Sequence, residues 1–154
     1  MNPAEEIVKY WLQTKGYFLQ SSIRLPQNRE IDILAIHENG EHVHFEVAVS
    51  VRMANYKANA QELAKIFCDK KFLAVQDEAS SRLGKKYKRK FVVGKVSKGT
   101  QDIRSEFITA CKGLGLEVLK FEDILTEVAA TLSTHTHLNP VIKAVQLTTI
   151  FLKT

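Results

Sequence analysis

The sequence predicts a mixed α/β fold, a central β-sheet with helices packed against it. Three observations carry that expectation. Apolar residues recur at helical spacing near both ends of the chain. Between residues 17 and 51 the period drops to that of strands, in "YFLQSSIRL", "EIDILAIH" and "EHVHFEVAVSV". After that, helix and strand patterns alternate, as they do when helices flank a sheet. With 154 residues, one domain spanning 1–154 is the simplest organisation.

The first helix is expected over residues 3–15. Asn2 suits the N-cap, Pro3 the first helical position and Glu5 the acid of a capping box, and Gly16 ends it. Ala4, Ile7, Val8, Trp11 and Leu12 form its apolar stripe. "YFLQSSIRL" then reads as a strand and Pro26-Gln27-Asn28 as a turn. The next two strands meet around Glu38-Asn39-Gly40, and in the second of them Val43, Phe45, Val47, Val49 and Val51 alternate with more polar residues. Helices are expected over 55–68, with Tyr56, Ala60, Leu63 and Phe67 inward, and over 70–83, ending at Gly84. "KFVVGKV" reads as a strand, "QDIRSEFITACKGLG" as a helix, "LEVLKF" as a strand and "EDILTEVAATL" as a helix. "NPVIKAVQLTTIFLK", capped by Asn139, makes a last and very apolar helix.

Apolar and charged fractions of 45% and 25% are those of an ordinary globular protein. Cys68 and Cys111 match no zinc or redox spacing, which points to a reducing, cytoplasmic setting. The amphipathic start is not a signal peptide, and no apolar run is long enough to span a bilayer, so no membrane partner is expected. Net charge is +5, and the excess is local: Arg82 to Lys98 contains eight Lys or Arg and no acid. Arg82, Lys85, Lys86, Lys88, Arg89 and Lys90 therefore form a candidate DNA-binding patch, with a solvated basic turn as the plainer alternative. The last helix carries apolar residues on more than one stripe (Val141, Ile142, Val145, Leu147, Ile150, Phe151, Leu152). They mark either a homodimer surface or a helix packed within one subunit.

Two acids on strongly apolar strands, Asp32 and Glu46, call for a reason. Whether they meet depends on the loop between their strands. A two-residue Asn39-Gly40 turn sets Asp32 opposite Val47 and puts Glu46 on the other face. A three-residue loop with a left-handed Gly40 sets His37 opposite Glu41 and hence Asp32 opposite Glu46. In that register the pair suits Mg²⁺ or Mn²⁺, which takes one or two carboxylates and keeps several waters. The carbonyl of Val47 is a candidate third ligand.

Residues 4–51 resemble the PD-(D/E)xK nuclease superfamily, which includes restriction endonucleases and archaeal Holliday-junction resolvases. The likeness comprises "AEEIVKYWLQTKGYFL", then "EIDILAI", then "HFEVAVS". It implies a restriction-endonuclease-like central mixed sheet flanked by helices and metal-dependent hydrolysis of DNA. Asp32 and Glu46 are then the metal ligands, with Glu5, rather than Glu6, as the first-helix acid. The departure is Ala48, which stands where that superfamily has a lysine. Three accounts of it stay open: a deliberate substitution, a catalytic lysine supplied by Lys57 or Lys65 of the next helix, or a site that has lost catalysis while the fold binds DNA or serves assembly. A further alternative, an unrelated α/β protein, belongs to the two-residue loop. Glu30 is expected at the rim of the pocket. His37, His42 and His44, like the "HTH" at 135–137, are read as solvated loop or strand-edge residues, because no cysteine or carboxylate accompanies them at zinc spacing. No Gly-rich phosphate loop, nucleophile elbow or redox cysteine pair occurs.

Overall fold

The computed structural model describes residues 2–53, 59–132 and 139–152. The expected mixed α/β architecture is present: a six-stranded sheet, part parallel and part antiparallel, with helices on both faces. Helix α1 spans Pro3–Thr14, and strands β1 Tyr17–Leu25, β2 Arg29–His37 and β3 His42–Met53 follow it. Helix α2 is Ala60–Lys71, a 3₁₀ turn covers Leu73–Val75, and α3 is Gln76–Leu83. The rest is β4 Lys88–Lys98, β5 Gln101–Asp102, α4 Arg104–Gly113, β6 Glu117–Lys120, α5 Phe121–Thr131 and α6 Pro140–Leu152. The sheet runs β1-β2-β3-β4-β5, and β6 also pairs with β4. The β1–β2, β2–β3 and β4–β5 pairs are antiparallel, whereas β3–β4 and β4–β6 are parallel.

Local chemistry places most boundaries. The Asn2 side chain accepts the Ala4 N–H at 3.0 Å, and Asn139 does the same for Val141 at 2.9 Å, so both ends of the chain carry a capped helix start. Two boundaries differ from the sequence expectation. Asn59 caps α2 by accepting the Glu62 N–H at 2.9 Å, so that helix starts at Ala60 rather than enclosing Asn59. Lys70 and Lys71 close α2 instead of opening a second helix: Phe72 is its C-cap, and a 3₁₀ turn leads from there into α3. Tyr56, Lys57 and the "HTH" at 135–137 lie outside the described residues.

Three cores hold the sheet between its helices. Ile33, Ala35, Val43, Phe45, Val47 and Val92 pack under α1, α5 and α6. Val51, Met53, Phe91 and Val93 pack under α2 and α4, where Phe67, Phe91 and Phe107 meet ring to ring. Ile23, Ile31 and Leu34 pack under α3. Burying one such phenylalanine is worth about 1.5–3 kcal/mol, so these rings dominate the cohesion of their layer.

The strands around the two acids are not regular. Ile31 and Leu34, three residues apart, share one core while Ile33 joins another, which breaks the alternation of a flat strand. The β1–β2 ladder runs from Ser21↔Ile33 to Ile23↔Ile31 across Ser22, whose φ is +52°. A left-handed non-glycine residue opposite Asp32 turns the sheet locally, the kind of strain that concentrates at functional sites. A second break corrects the simple alternation of β3. Val49 is 41% exposed, and Val51 packs on the side opposite to Val47. Gly94 of β4 explains it: a Cβ there would stand 2.3 Å from the Val49 carbonyl oxygen, so the bare backbone permits a close approach that bends both strands.

Candidate functional site

The loop between β2 and β3 has three residues. The His37 N–H donates to the Glu41 carbonyl at 2.8 Å, the Gly40 N–H donates back to His37 at 2.8 Å, and Gly40 has φ +94°. This fixes the register as Ile36↔His42 through Ile33↔Phe45, in which Asp32 falls opposite Glu46. There the ladder ends. Residues 29–32 of β2 and 46–53 of β3 continue without pairing with each other, so the two acids sit at the fork of parting strands.

Their side chains replace the missing ladder. The Asp32 N–H donates to Glu46 Oε1 at 3.2 Å, and the Val47 N–H donates to Asp32 Oδ2 at 2.9 Å. Glu46 is 0% exposed and Asp32 6%. Burial first, and then the charge of Asp32, push the Glu46 carboxyl well above the usual carboxylate range. Its Oε2 is buried and has no hydrogen-bond partner among the described residues.

Glu5 belongs to the same electrostatic cluster. Burial raises its pKa, and so do the charges of Asp32 and Glu30, while Asn2 and Lys71 oppose the shift. Its carboxylate also accepts the Asn2 side-chain amide at 2.8 Å, so the cap and the cluster share this residue. Among the described residues, Lys71 at the end of α2 is a cation beside these acids, with Nζ 3.9 Å from Glu46 Oε2. Ala48 packs against the core under α2 and α4. Lys65 is an exposed residue of α2.

The sequence pattern suggests a solvated His44, whereas in the structure the residue is buried. It is 0% exposed, and its Nε2 lies 2.8 Å from Glu46 Oε1. Burial and the nearby Arg89 hold it neutral, with a pKa pushed down to about 3, so the contact is a hydrogen bond rather than an ion pair. The signal was present in the i, i+2 spacing, which puts positions 44 and 46 on one face of a strand; an apolar setting on both sides decided the burial. The other two hairpin histidines serve the backbone. His37 Nε2 bonds the Lys15 carbonyl at 2.7 Å, and His42 Nδ1 bonds the Leu83 carbonyl.

The basic segment is divided by the alternation of β4. Lys88 and Lys90 turn toward Glu41, at 2.9 and 3.6 Å, and Lys90 also reaches Glu117 at 3.3 Å. Arg89 turns the other way, with its guanidinium 5.6 Å from the centroid of Tyr87 and its Nε buried. Arg82 is held by Glu78 at 2.7 Å and Gln20 at 2.8 Å. Lys85 and Lys86 are exposed on the connection between α3 and β4.

Among the described residues, no group of three or more His, Cys, Asp or Glu is arranged to hold a metal by itself, so a cation here would depend on the Asp32–Glu46 pair, backbone and water. No helix among them is long and apolar enough to cross a membrane.

The chain matches the crystal structure of a protein of unknown function, AF1548, with a TM-score of 0.50 and 14% identity over 88% of this chain and 73% of that one. That likeness shows the fold alone. A second match is the structure of Pyrococcus furiosus SfsA in complex with Ca²⁺, with a TM-score of 0.34 and 14% identity over 74% of this chain and 52% of that one. No family model and no curated protein matches the chain.

Proposed function

We propose that this chain is a nuclease-like protein of the PD-(D/E)xK kind that binds DNA and hydrolyses its phosphodiesters with Mg²⁺ or Mn²⁺. The observation that carries the reading is the fork of β2 and β3, where Asp32 and Glu46 face each other with the Lys71 ammonium 3.9 Å from Glu46. The donor set fits a hard cation. It offers carboxylate oxygens, one of them the buried and unpartnered Glu46 Oε2, close to the backbone of Val47. Glu46 resists ionisation where it stands, and a divalent cation is the kind of partner that offsets that cost.

When bound, such an ion neutralises phosphate charge and lowers the pKa of a coordinated water. The chain's residues supply the rest. Asp32 and Glu46 would hold the ion, with the Val47 carbonyl as a third protein ligand, and Glu5 adds to the negative charge beside Asp32. Lys71 does the work denied to Ala48: it orients the attacking water and offsets charge building on the phosphate. Lys65, exposed on α2, serves as the internal comparison. Arg82, Lys85 and Lys86 contact DNA phosphates, and a homodimer through α6 would present two sites to two strands.

Mn²⁺-dependent cleavage of a mixed panel of DNA substrates tests this, comparing the protein with Asp32→Ala, Lys71→Ala and Ala48→Lys. Cleavage that disappears in Asp32→Ala supports the reading. Ala48 favours a second reading, a catalytically silent fold used for DNA binding or assembly. Salt-dependent DNA binding without cleavage in any variant would select it.

A further inference from the structure

His44 is a fully buried polar residue that the proposed reaction leaves without a role. Its ring touches Glu46, the residue whose orientation the proposed site depends on. We propose that His44 is a positioning residue: its Nε2–H pins Glu46 Oε1, so that Oε2 is the carboxylate oxygen presented to a divalent cation. The proposal rests on the metal-dependent reading above and names how this chain holds its own ligand.

The geometry supports it from both sides of the carboxylate. Oε1 takes two donors, the His44 ring at 2.8 Å and the Asp32 N–H at 3.2 Å. Oε2 takes none among the described residues and lies on the side of Lys71. A carboxylate fixed through one oxygen cannot rotate without breaking both bonds, so its free oxygen has a fixed direction. The chemistry behind the ring agrees. His44 lies in register with Arg89 on the parallel neighbour β4, and its centroid is 6.4 Å from that of Tyr87. Arg89 Nε and the Tyr87 hydroxyl are buried donors without a partner among the described residues, and His44 Nδ1 is likewise unpartnered. The ring meets Glu46 through Nε2, and a carboxylate oxygen accepts, so the Nε2–H form is the one that Glu46 needs. Phe72, 4.8 Å away between ring centroids, packs against the imidazole and limits its rotation. Partners that orient ligands in this way commonly account for 10–100-fold in metal affinity.

The test uses the full chain, with Mn²⁺ alone as the probe. Calorimetric titration of the wild type, His44→Gln and His44→Leu separates donor from bulk, because glutamine can offer an N–H where Nε2 stands and leucine cannot. The expected result is near-wild-type affinity for His44→Gln and a loss of about 10–100-fold for His44→Leu. Equal affinity in all three would overturn the positioning role while leaving the metal site intact. A wild type that binds no Mn²⁺ would overturn both this proposal and the reading beneath it. Because His44→Leu can fail to fold, ¹⁵N spectra of the metal-free wild type give an independent check. The His44 signal, assigned by its loss in His44→Gln, should report the Nε2–H tautomer, and an Nδ1–H tautomer would overturn the proposal.

Discussion

Asp32 and Glu46 are each bonded to the backbone of the other's strand. The Asp32 N–H donates to Glu46 Oε1 at 3.2 Å, and Asp32 Oδ2 accepts from Val47, the residue after Glu46, at 2.9 Å. Two carboxylates thus take over backbone pairing at the point where β2 and β3 part. That arrangement keeps both acids inside the protein, although ionised carboxylates prefer water.

The first prediction follows from that cost. Glu46→Gln keeps an oxygen for the Asp32 N–H and removes a charge that burial disfavours. The metal-free variant should melt at or above the wild-type temperature. Wild type should gain about 2.7 kcal/mol from Mn²⁺ at a hundred times its Kd, and Glu46→Gln should gain almost none. Thermal melts with and without Mn²⁺ check both halves. An undiminished Mn²⁺ shift in the variant would place the ion elsewhere.

Lys71 is the lysine that reaches the acids, and Lys65 is exposed on the same helix. If the ammonium stabilises charge in the transition state, Lys71→Ala should reduce Mn²⁺-dependent DNA cleavage by about 10²–10³-fold, the typical value of one such donor. Lys65→Ala should stay near wild type. Single-turnover cleavage under saturating Mn²⁺ distinguishes them, and equal losses in the two variants would remove Lys71 from its role.

Glu41 sets a pH dependence. It accepts hydrogen bonds from Lys88 and Tyr17, both at 2.9 Å, and so ties β1, β3 and β4 together at one end of the sheet. Lys88 first, opposed by partial burial and aided by Tyr17 and Lys90, lowers its pKa to about 2. A lowered carboxyl pKa means that the stabilisation is fully present above the ordinary value of 4.5 and is lost as pH falls through about 2. Glu41→Gln should therefore cost up to about 1 kcal/mol near pH 7, a modest figure because solvent screens the pair. The difference from wild type should vanish in urea melts as pH falls from 4.5 toward 2. A difference that persists at the lowest pH would mean that packing, not charge, carries it.

Gly94→Ala should destabilise the sheet. The added Cβ would meet the Val49 carbonyl oxygen at 2.3 Å, and that atom is backbone held between two strands. Overpacking of this kind costs about 1–3 kcal/mol, and each kcal/mol lowers Tm by about 2–4 °C in a chain of this size. Differential scanning calorimetry reads it directly. An unchanged Tm would show that β3 and β4 can separate there without penalty.

Much of this molecule follows from its sequence alone, because the deciding interactions are short-range. Asn2 and Asn139 cap the helices that follow them. Gly40 marks the left-handed turn between β2 and β3 and narrows the register to two loop lengths, of which the structure has the three-residue one that brings Asp32 opposite Glu46. What only the tertiary structure decided depends on distant elements meeting. Lys71 reaches Glu46 because α2 runs on to Lys71 and its end packs beside β3, an arrangement that no local pattern encodes. Val49 leaves its expected face because Gly94, on another strand, lets two backbones close up. His44 is hidden because rings from α2's end and the approach to β4, Phe72 and Tyr87, close over it. A histidine on a strand can face water or the core equally well by its own propensity, and the layer packed above it makes the choice.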